Sequence, residues 1–454
     1  MKADEVAKLI TLAGKMTENE REILRKERLH NLVEFTRKNS SFFMNLYKDL
    51  PENYSLEDLP PTSKKILMQD YEGWLTDPTI TKTDVQNYLA ADPITRGAFR
   101  GKYSVLATSG TTGEPMPMIR DEHRNLIHGT MLKLRLLRED IIGDLLDIRK
   151  HRRAAIVADD PKASAYSSFL RIRAANPGFE KNFICVPIRL PVDEKVKMLN
   201  DFQPEAISCY PSEMALMAIQ QRKGLLKISP KVIVCSAEKL SDEMYRTLKE
   251  TFNCTIINNY CMTEGGEIAF SIDCPHLHIN DDWIIVEPVD ENKNPVADKS
   301  KFSHGILITD LSNFVQPIIR YYVEDSVIIH DTCDCGNNFP WLEIHGRVSG
   351  VWEICGGAVT SMQLDDVTEI VDEALSVQLV QVGENDLQVR AILVDSADKN
   401  LVAEKILFEI KKLLRESGCK NFNLEWNDEP PIKNVRGGKL SPFVNDPKRG
   451  LQLD

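Results

Sequence analysis

The chain lacks a basic N-terminal stretch leading into an apolar core, and no unbroken apolar run approaches the ~20 residues that a membrane helix requires. Neither an export signal nor a membrane span is therefore expected, and the expected location is cytoplasmic. Excess positive charge is missing too: 56 Lys and Arg stand against 68 Asp and Glu, a formal charge of −12. Nucleic acid and anionic membranes are accordingly not expected as partners. Internal repeats and low-complexity tracts are absent. Ten cysteines spread over 454 residues, without an export signal, read as thiols or metal ligands rather than as a disulfide framework.

What is present is a chain long enough for two or three domains with a large core. Residues 1–100 are rich in Lys, Glu and Leu at helical spacing, as in Glu20-Arg21-Glu22-Ile23-Leu24-Arg25, and are broken at Leu50-Pro51 and Leu59-Pro60-Pro61. They form an expected helical entry region. From about 103 to 345, apolar runs such as Ala154-Ala155-Ile156-Val157, Phe183-Ile184-Cys185-Val186, Val232-Ile233-Val234-Cys235 and Thr255-Ile256-Ile257 alternate with helical stretches, among them Ser212 to Gln221 and Ser241 to Thr251. That alternation predicts an α/β domain whose strands are buried on both faces, with ligands at their carboxyl ends. After Gly346-Arg347 the pattern changes to a smaller α+β unit. It has strands near Val377–Val382 and Leu387–Val394, an amphipathic helix from about Val402 to Ser417, and a tail Val435-Arg436-Gly437-Gly438-Lys439. The expected domains are 1–346 and 347–454.

The most informative run is Thr108-Ser109-Gly110-Thr111-Thr112-Gly113, entered by the strand-like Tyr103-Ser104-Val105-Leu106 and followed by Glu114-Pro115-Met116. Hydroxyls and two glycines at a strand end are suited to cradling phosphate. No Lys-Ser/Thr pair follows the second glycine, which excludes a P-loop of the G-x-x-x-x-G-K-[ST] kind. Four further segments follow in order: Ser236-Ala237-Glu238; Asn259-Tyr260-Cys261-Met262-Thr263-Glu264-Gly265-Gly266; Ile308-Thr309-Asp310-Leu311 with Pro317-Ile318-Ile319-Arg320-Tyr321-Tyr322-Val323-Glu324-Asp325; and His345-Gly346-Arg347.

With these five segments in this order the chain resembles the adenylate-forming (acyl-CoA synthetase and adenylation-domain) superfamily, and most closely its phenylacetate-CoA ligase-like branch. The resemblance spans essentially the whole chain, including Leu59-Pro60-Pro61-Thr62-Ser63-Lys64-Lys65. It implies a large N-terminal domain with buried sheets flanked by helices, and a small mobile α+β lid. It also implies an enzyme that joins a carboxylic acid to ATP, releases pyrophosphate, and passes the acyl group to CoA. By that likeness Thr108 to Gly113 would hold phosphates, Thr263 the α-phosphate, and Glu264 Mg²⁺. Tyr260 would stack near the adenine, Ser236, Ala237 and Glu238 would line the base pocket, and Asp325 would accept from both ribose hydroxyls. Arg347 would contact the nucleotide, and Gly356 and Gly357 would border the thiol tunnel. Lys439 would bridge carboxylate and phosphate. The chain departs from the pattern at Cys261, where Gly is usual, at Met116, where many members carry Lys, and at Val348-Ser349-Gly350, where an acidic or Lys hinge is usual.

A second cluster combines Cys274-Pro275-His276-Leu277-His278 with Cys333-Asp334-Cys335-Gly336. Three cysteines and a histidine make the four-ligand set that structural zinc favours. Branch members carry a similar set, which implies Cys274, His278, Cys333 and Cys335 as ligands, with His278 ahead of His276. Expected partners are an aryl or small carboxylic acid and CoA, in a monomer or homodimer. Alternative readings are a ligase loading a carrier-protein phosphopantetheine or an amine, and a non-catalytic nucleotide-binding regulator.

Overall fold

The computed structural model describes residues 2–92, 94–108, 115–159, 164–298, 300–347, 351–394, 397–433 and 440–445. Two compact units emerge, each assembled from three separated stretches: 1–144, 167–177 and 257–343 in the first, and 145–166, 178–256 and 344–454 in the second. Among the described residues no helix is long and apolar enough to cross a membrane.

The first unit begins with the expected helices. The Glu18–Asn39 helix starts at a capping box in which Thr17 and Glu20 satisfy each other's backbone amides, a device that replaces two of the hydrogen bonds missing from a helix's first turn. One core joins Leu32, Phe43 and Trp74 from this region to Met118 and Ile319. Trp74 also donates its indole N–H to the Pro317 carbonyl at 2.7 Å. Thr62, in the Leu-Pro-Pro-Thr segment, exchanges backbone hydrogen bonds with Arg320 and Tyr322. The N-terminal region thereby fixes the strand that leads to Asp325.

The strands of this unit are antiparallel. Ser104–Ala107 pairs with Pro117–Arg120, Ile284–Val289 with Gly305–Asp310, and Thr255–Met262 with Gly266–Ile272. The α/β class expected from the sequence is present, with the direction of strand pairing changing along the chain. Between 103 and 345, strands alternate with helices from Arg153–Val157 through Phe183–Pro187, Ala206–Cys209 and Val232–Ser236, which pair in parallel, and on across the Asp242–Phe252 helix to Thr255–Met262; the strands before and after this run pair antiparallel. Apolar runs reveal burial but not the direction of the neighbouring strand, which depends on the connection between them.

The second unit holds two cores. In one, Ile156, Ile207 and Ile233 of the parallel strands pack with Met214 and Leu248 of the helices, and with Leu375 and Ile392 from the C-terminal part. The other lies within residues 354–443, where Leu379 and Val389 of the long hairpin face Val402, Ile406, Ile410 and Leu414 of the Lys399–Glu416 helix. Asp398 caps that helix by accepting from the amides of Asn400 and Leu401.

Candidate functional site

The Thr108 to Gly113 run lies in sequence between two strands that pair with each other, Ser104–Ala107 and Pro117–Arg120. Thr108 N–H donates to the Met116 carbonyl at 3.1 Å, and Met116 N–H returns a bond to Thr108 Oγ1 at 2.9 Å. Met116 is fully buried, so the position where a lysine is usual carries a core side chain. Ser109, Gly110, Thr111, Thr112 and Gly113 lie outside the described residues, as do the hinge positions Val348-Ser349-Gly350 and Lys439.

In the sequence Asn259 to Gly266 follows the strand-like run Thr255-Ile256-Ile257 and reads as the turn beyond it. The strand instead runs on to Met262, with an irregularity between Tyr260 and Cys261, and only Thr263, Glu264 and Gly265 form the turn. In this unit Tyr260 donates its hydroxyl to Asp325 Oδ2 at 2.5 Å, bringing together two residues 65 positions apart. Asp325 is buried at the start of its strand. Tyr321 Oη lies 3.4 Å from Glu264 Oε1, and burial pushes the Tyr321 hydroxyl far above the usual phenol range. It therefore stays protonated and able to donate.

Behind the Thr263 turn lies a charged network that the sequence reading did not assign. Arg120 Nη2 donates to the Thr263 carbonyl at 2.9 Å. Burial, reinforced by the neighbouring Arg124 charge, pulls the Arg120 guanidinium down to about 9, so it remains cationic at neutral pH. Arg124 Nε donates to Asp310 Oδ2 at 2.8 Å, with both side chains almost wholly buried. One helical turn on, His128 Nδ1 lies 2.7 Å from Glu267 Oε2 and Nε2 lies 3.1 Å from Ser312 Oγ. Gly266 has φ +74°, and a Cβ there would lie 2.5 Å from Arg124 Nη2 and from the His128 ring. Only glycine permits both that backbone conformation and that approach. The available signal was the Arg124, His128 spacing of four on one helix.

This network has a pH consequence. Burial opposes ionisation of Asp310, but Arg124 and His128 outweigh it and hold the carboxyl below its usual range. Glu267 is likewise brought to about 2, with burial again opposed by the bond to His128. Carboxyls depressed in the folded state contribute stability that is complete above the ordinary carboxylate range and is lost as pH falls through it. The melting temperature should therefore drop on acidification from about pH 5 toward 3, and drop less steeply in Glu267→Gln. Equal slopes in the two proteins would remove Glu267 from this account.

In the second unit, Ser236 ends its strand and Ala237 adopts φ +73°, a conformation costly for a residue with a Cβ. This places Glu238 so that Oε2 accepts from Ser212 N–H at 3.2 Å and Oε1 from Leu440 N–H at 2.9 Å. Cys355 and Gly356, both at positive φ, form the two-residue tip of the hairpin pairing Ile354 with Gly357, as a type I′ turn requires. A Cβ on Gly357 would lie 2.4 Å from Ser417 O and Cys419 N. Close packing on the end of the Lys399–Glu416 helix thus accounts for this glycine. Arg347 is exposed at the end of its strand.

The Cys/His cluster comes together in the first unit. Ligand atoms of Cys274, His278, Cys333 and Cys335 all lie within 4.8 Å of one another, and all ten cysteines are free of disulfides. Cys274 Sγ is 3.8 Å from Cys333 Sγ and 3.9 Å from His278 Nε2, and Cys335 Sγ is 3.2 Å from His278 Nε2. Two sulfurs each about 2.3 Å from a tetrahedral zinc lie about 3.8 Å apart, so the donor set fits that ion. His278 Nδ1 bonds the Phe339 carbonyl at 3.0 Å, which leaves Nε2 as the atom facing the sulfurs. His276 Nδ1 reaches only Cys333 Sγ, at 3.2 Å, and its ring stacks on Trp341.

A helical entry region, antiparallel and parallel strands, and the ordered motifs set on their ends define an adenylate-forming fold. Over 96% of its length the chain matches the structure of 2-hydroxyisobutyryl-CoA ligase in the postadenylation state in complex with 2-HIB-AMP, covering 92% of that chain with a TM-score of 0.63 at 15% identity. In sequence it resembles the phenylacetate-CoA ligase-like branch, as its motif order implied. It is 25% identical to phenylacetate-coenzyme A ligase of Thermus thermophilus over 370 residues, 78% of this chain and 76% of the relative. It is 26% identical to protein CapK of Staphylococcus aureus over 264 residues, 56% of this chain, and so spans about half of that relative, 55%. No family model matches the chain.

Proposed function

We propose that the protein is an ATP-dependent carboxylic acid ligase: the acid attacks the α-phosphate of ATP, pyrophosphate leaves, and the acyl group passes to the thiol of CoA with release of AMP. The observation that carries this reading is the Tyr260 to Asp325 hydrogen bond beside the Thr263, Glu264 turn, in a chain of this fold. Two anions must meet in the first step, so positioning and charge neutralisation supply most of the rate. Thr108 to Gly113 and Thr263 hold the phosphates, and Tyr260 oriented by Asp325 borders the nucleoside. Asp325 accepts from the ribose, as an ionised carboxylate with two oxygens can. Ser236, Ala237 and Glu238 border the base, Arg347 meets the nucleotide, and Gly356 and Gly357 flank the incoming thiol. Glu264 is the carboxylate that fits Mg²⁺, which when bound offsets phosphate charge. Lys439 brings positive charge to the joining carboxylate and phosphate. Residues 347–454 act as the lid over 1–346. The core within residues 354–443 supports this division, while Leu375 and Ile392 pack with the parallel strands of 153–236.

The names of the relatives favour CoA as acceptor and an aryl or small hydroxylated acid as substrate. Acid-dependent exchange of pyrophosphate into ATP, with phenylacetate and 2-hydroxyisobutyrate heading a panel of acids, tests the first half-reaction, and thioester formation with CoA tests the second. ATP binding without exchange for any acid would favour the nucleotide-binding regulator instead. In calorimetry Asp325→Ala should weaken ATP binding, each charge-assisted bond contributing about 1.5–3 kcal/mol. Unchanged affinity would take Asp325 out of the site.

Zinc is proposed at Cys274, His278, Cys333 and Cys335. Burial lowers the His278 pKa and so favours the neutral imidazole that a metal needs. With four protein ligands no position is left for a catalytic water, so the role is structural.

A further inference from the structure

Thr263 and Glu264 sit on a turn that its own backbone holds poorly. Gly265 and Gly266 follow directly, and a glycine pair leaves the chain more conformations than other residues would. Gly266 uses one of them, and the Arg124 guanidinium and His128 ring leave no room there for a side chain. Rigidity must come from outside the turn. Two side chains of the same unit supply it. Tyr321 Oη lies 3.4 Å from the Glu264 carboxylate, and Arg120 Nη2 donates at 2.9 Å to the Thr263 carbonyl, which belongs to the peptide joining Thr263 to Glu264. In a trans peptide C=O and N–H point in opposite directions. A bond that draws this oxygen toward Arg120 therefore turns the Glu264 N–H away from it and sets the plane from which both side chains leave.

Stability alone does not account for an arginine at this place. A guanidinium carries five N–H donors, yet among the described residues the Arg120 side chain makes this single hydrogen bond, and its Nε is buried without a partner. The two carboxylates whose charge it feels, Glu267 and Asp310, are held by other groups: Asp310 by Arg124 Nε at 2.8 Å and Glu267 by His128 Nδ1 at 2.7 Å. A buried donor left unpaired is destabilising, and burying a charge that has no close counter-ion is more so. A methionine of similar length would avoid both. It could not hold the Thr263 carbonyl.

We propose that Arg120 is a positioning residue for adenylation: by holding the Thr263 carbonyl it fixes the peptide between Thr263 and Glu264, so that the hydroxyl of one and the carboxylate of the other are in place before the reactants arrive. This rests on the roles proposed for Thr263 and Glu264, and the test separates the two. Arg120→Met keeps the length and removes the bond, whereas Arg120→Lys keeps a charged donor. In Arg120→Met, hydrogen exchange should quicken in peptides covering residues 259–268 and stay unchanged across 284–289, a readout that needs no substrate. Calorimetry should find ATP bound with wild-type stoichiometry and near wild-type affinity, as a folded variant requires. At saturating ATP and acid, pyrophosphate exchange should nevertheless fall about 10- to 100-fold, the scale of a small misplacement of a reacting group, and Arg120→Lys should recover part of the loss. Unaltered hydrogen exchange at 259–268 overturns the proposal. So does a fall in activity matched by an equal fall in ATP stoichiometry, which would mark a residue needed only for folding. Undiminished pyrophosphate exchange in Arg120→Met overturns the positioning role and leaves the ligase reading standing. Wild-type protein that exchanges pyrophosphate with no acid overturns the ligase reading, and with it the purpose assigned to this bond.

Discussion

Lys439→Ala is expected to abolish acid-dependent pyrophosphate exchange while leaving transfer of a preformed acyl-adenylate to CoA close to the wild-type rate. In the first half-reaction a carboxylate must approach a phosphate, and a lysine between them stabilises charge that is absent from the separated reactants. Loss of such a group costs on the order of 10²–10³ in rate where the site excludes water. In the second half-reaction a thiol attacks a mixed anhydride whose pyrophosphate has already left, so that charge is no longer needed at the same place. A lid that moves between steps would then carry the lysine away. Purified variant supplied either with acid and ATP or with the synthetic adenylate and CoA separates the two. Equal losses in both assays would exclude a lysine that serves one step only.

One zinc ion per chain is the second large expectation. Protein purified without a metal-affinity tag should contain it, and Cys333→Ser should lose both the metal and thermal stability. A loss of about 2–4 kcal/mol would lower the melting temperature by roughly 5–15 °C in a domain of this size. The cluster joins the turn after the Asp325–His330 strand to the short strand Leu277–Ile279, itself paired with Trp341 and Leu342. Its loss should therefore reduce soluble yield more than it changes turnover in the folded fraction. His278→Ala should lose the metal and His276→Ala should keep it, because only His278 is oriented by the Phe339 carbonyl. Active, well-folded protein with a zinc content near zero would falsify the site.

Much of this arrangement was legible in the chain, for identifiable reasons. Strands such as Ala154 to Val157 are buried on both faces and read as continuous apolar runs. Helix starts such as Ser241 announce themselves because a short hydroxyl side chain replaces a missing amide partner. Ala206–Cys209 was missed because four residues, one of them Ser208, give too little pattern. The extension of a strand through Tyr260 to Met262 was missed because Asn258 and Asn259 resemble a turn, although Asn258 is buried. The Arg124 to Asp310 and Lys195 to Glu213 pairs could not be read at all. Charged residues are normally solvated, and what identifies these as buried is a partner 186 or 18 positions away. Asp310 was noticed as part of a motif, but its pairing with Arg124 depends wholly on the fold.

The interleaving of the two units also bears on how the protein is made. Six stretches alternate between them along the chain, so neither unit is complete when its first part leaves the ribosome. The parallel strands between 153 and 236 emerge early, yet part of the apolar surface they present is closed by Leu375 and Ile392, more than a hundred residues later. During that interval the nascent chain carries an unfinished hydrophobic face, the kind of surface that recruits chaperones or aggregates. Slow synthesis across residues 257–374 would lengthen the exposure. Heterologous production should accordingly be sensitive to translation rate in this stretch, even though none of its codons specifies the residues left uncovered.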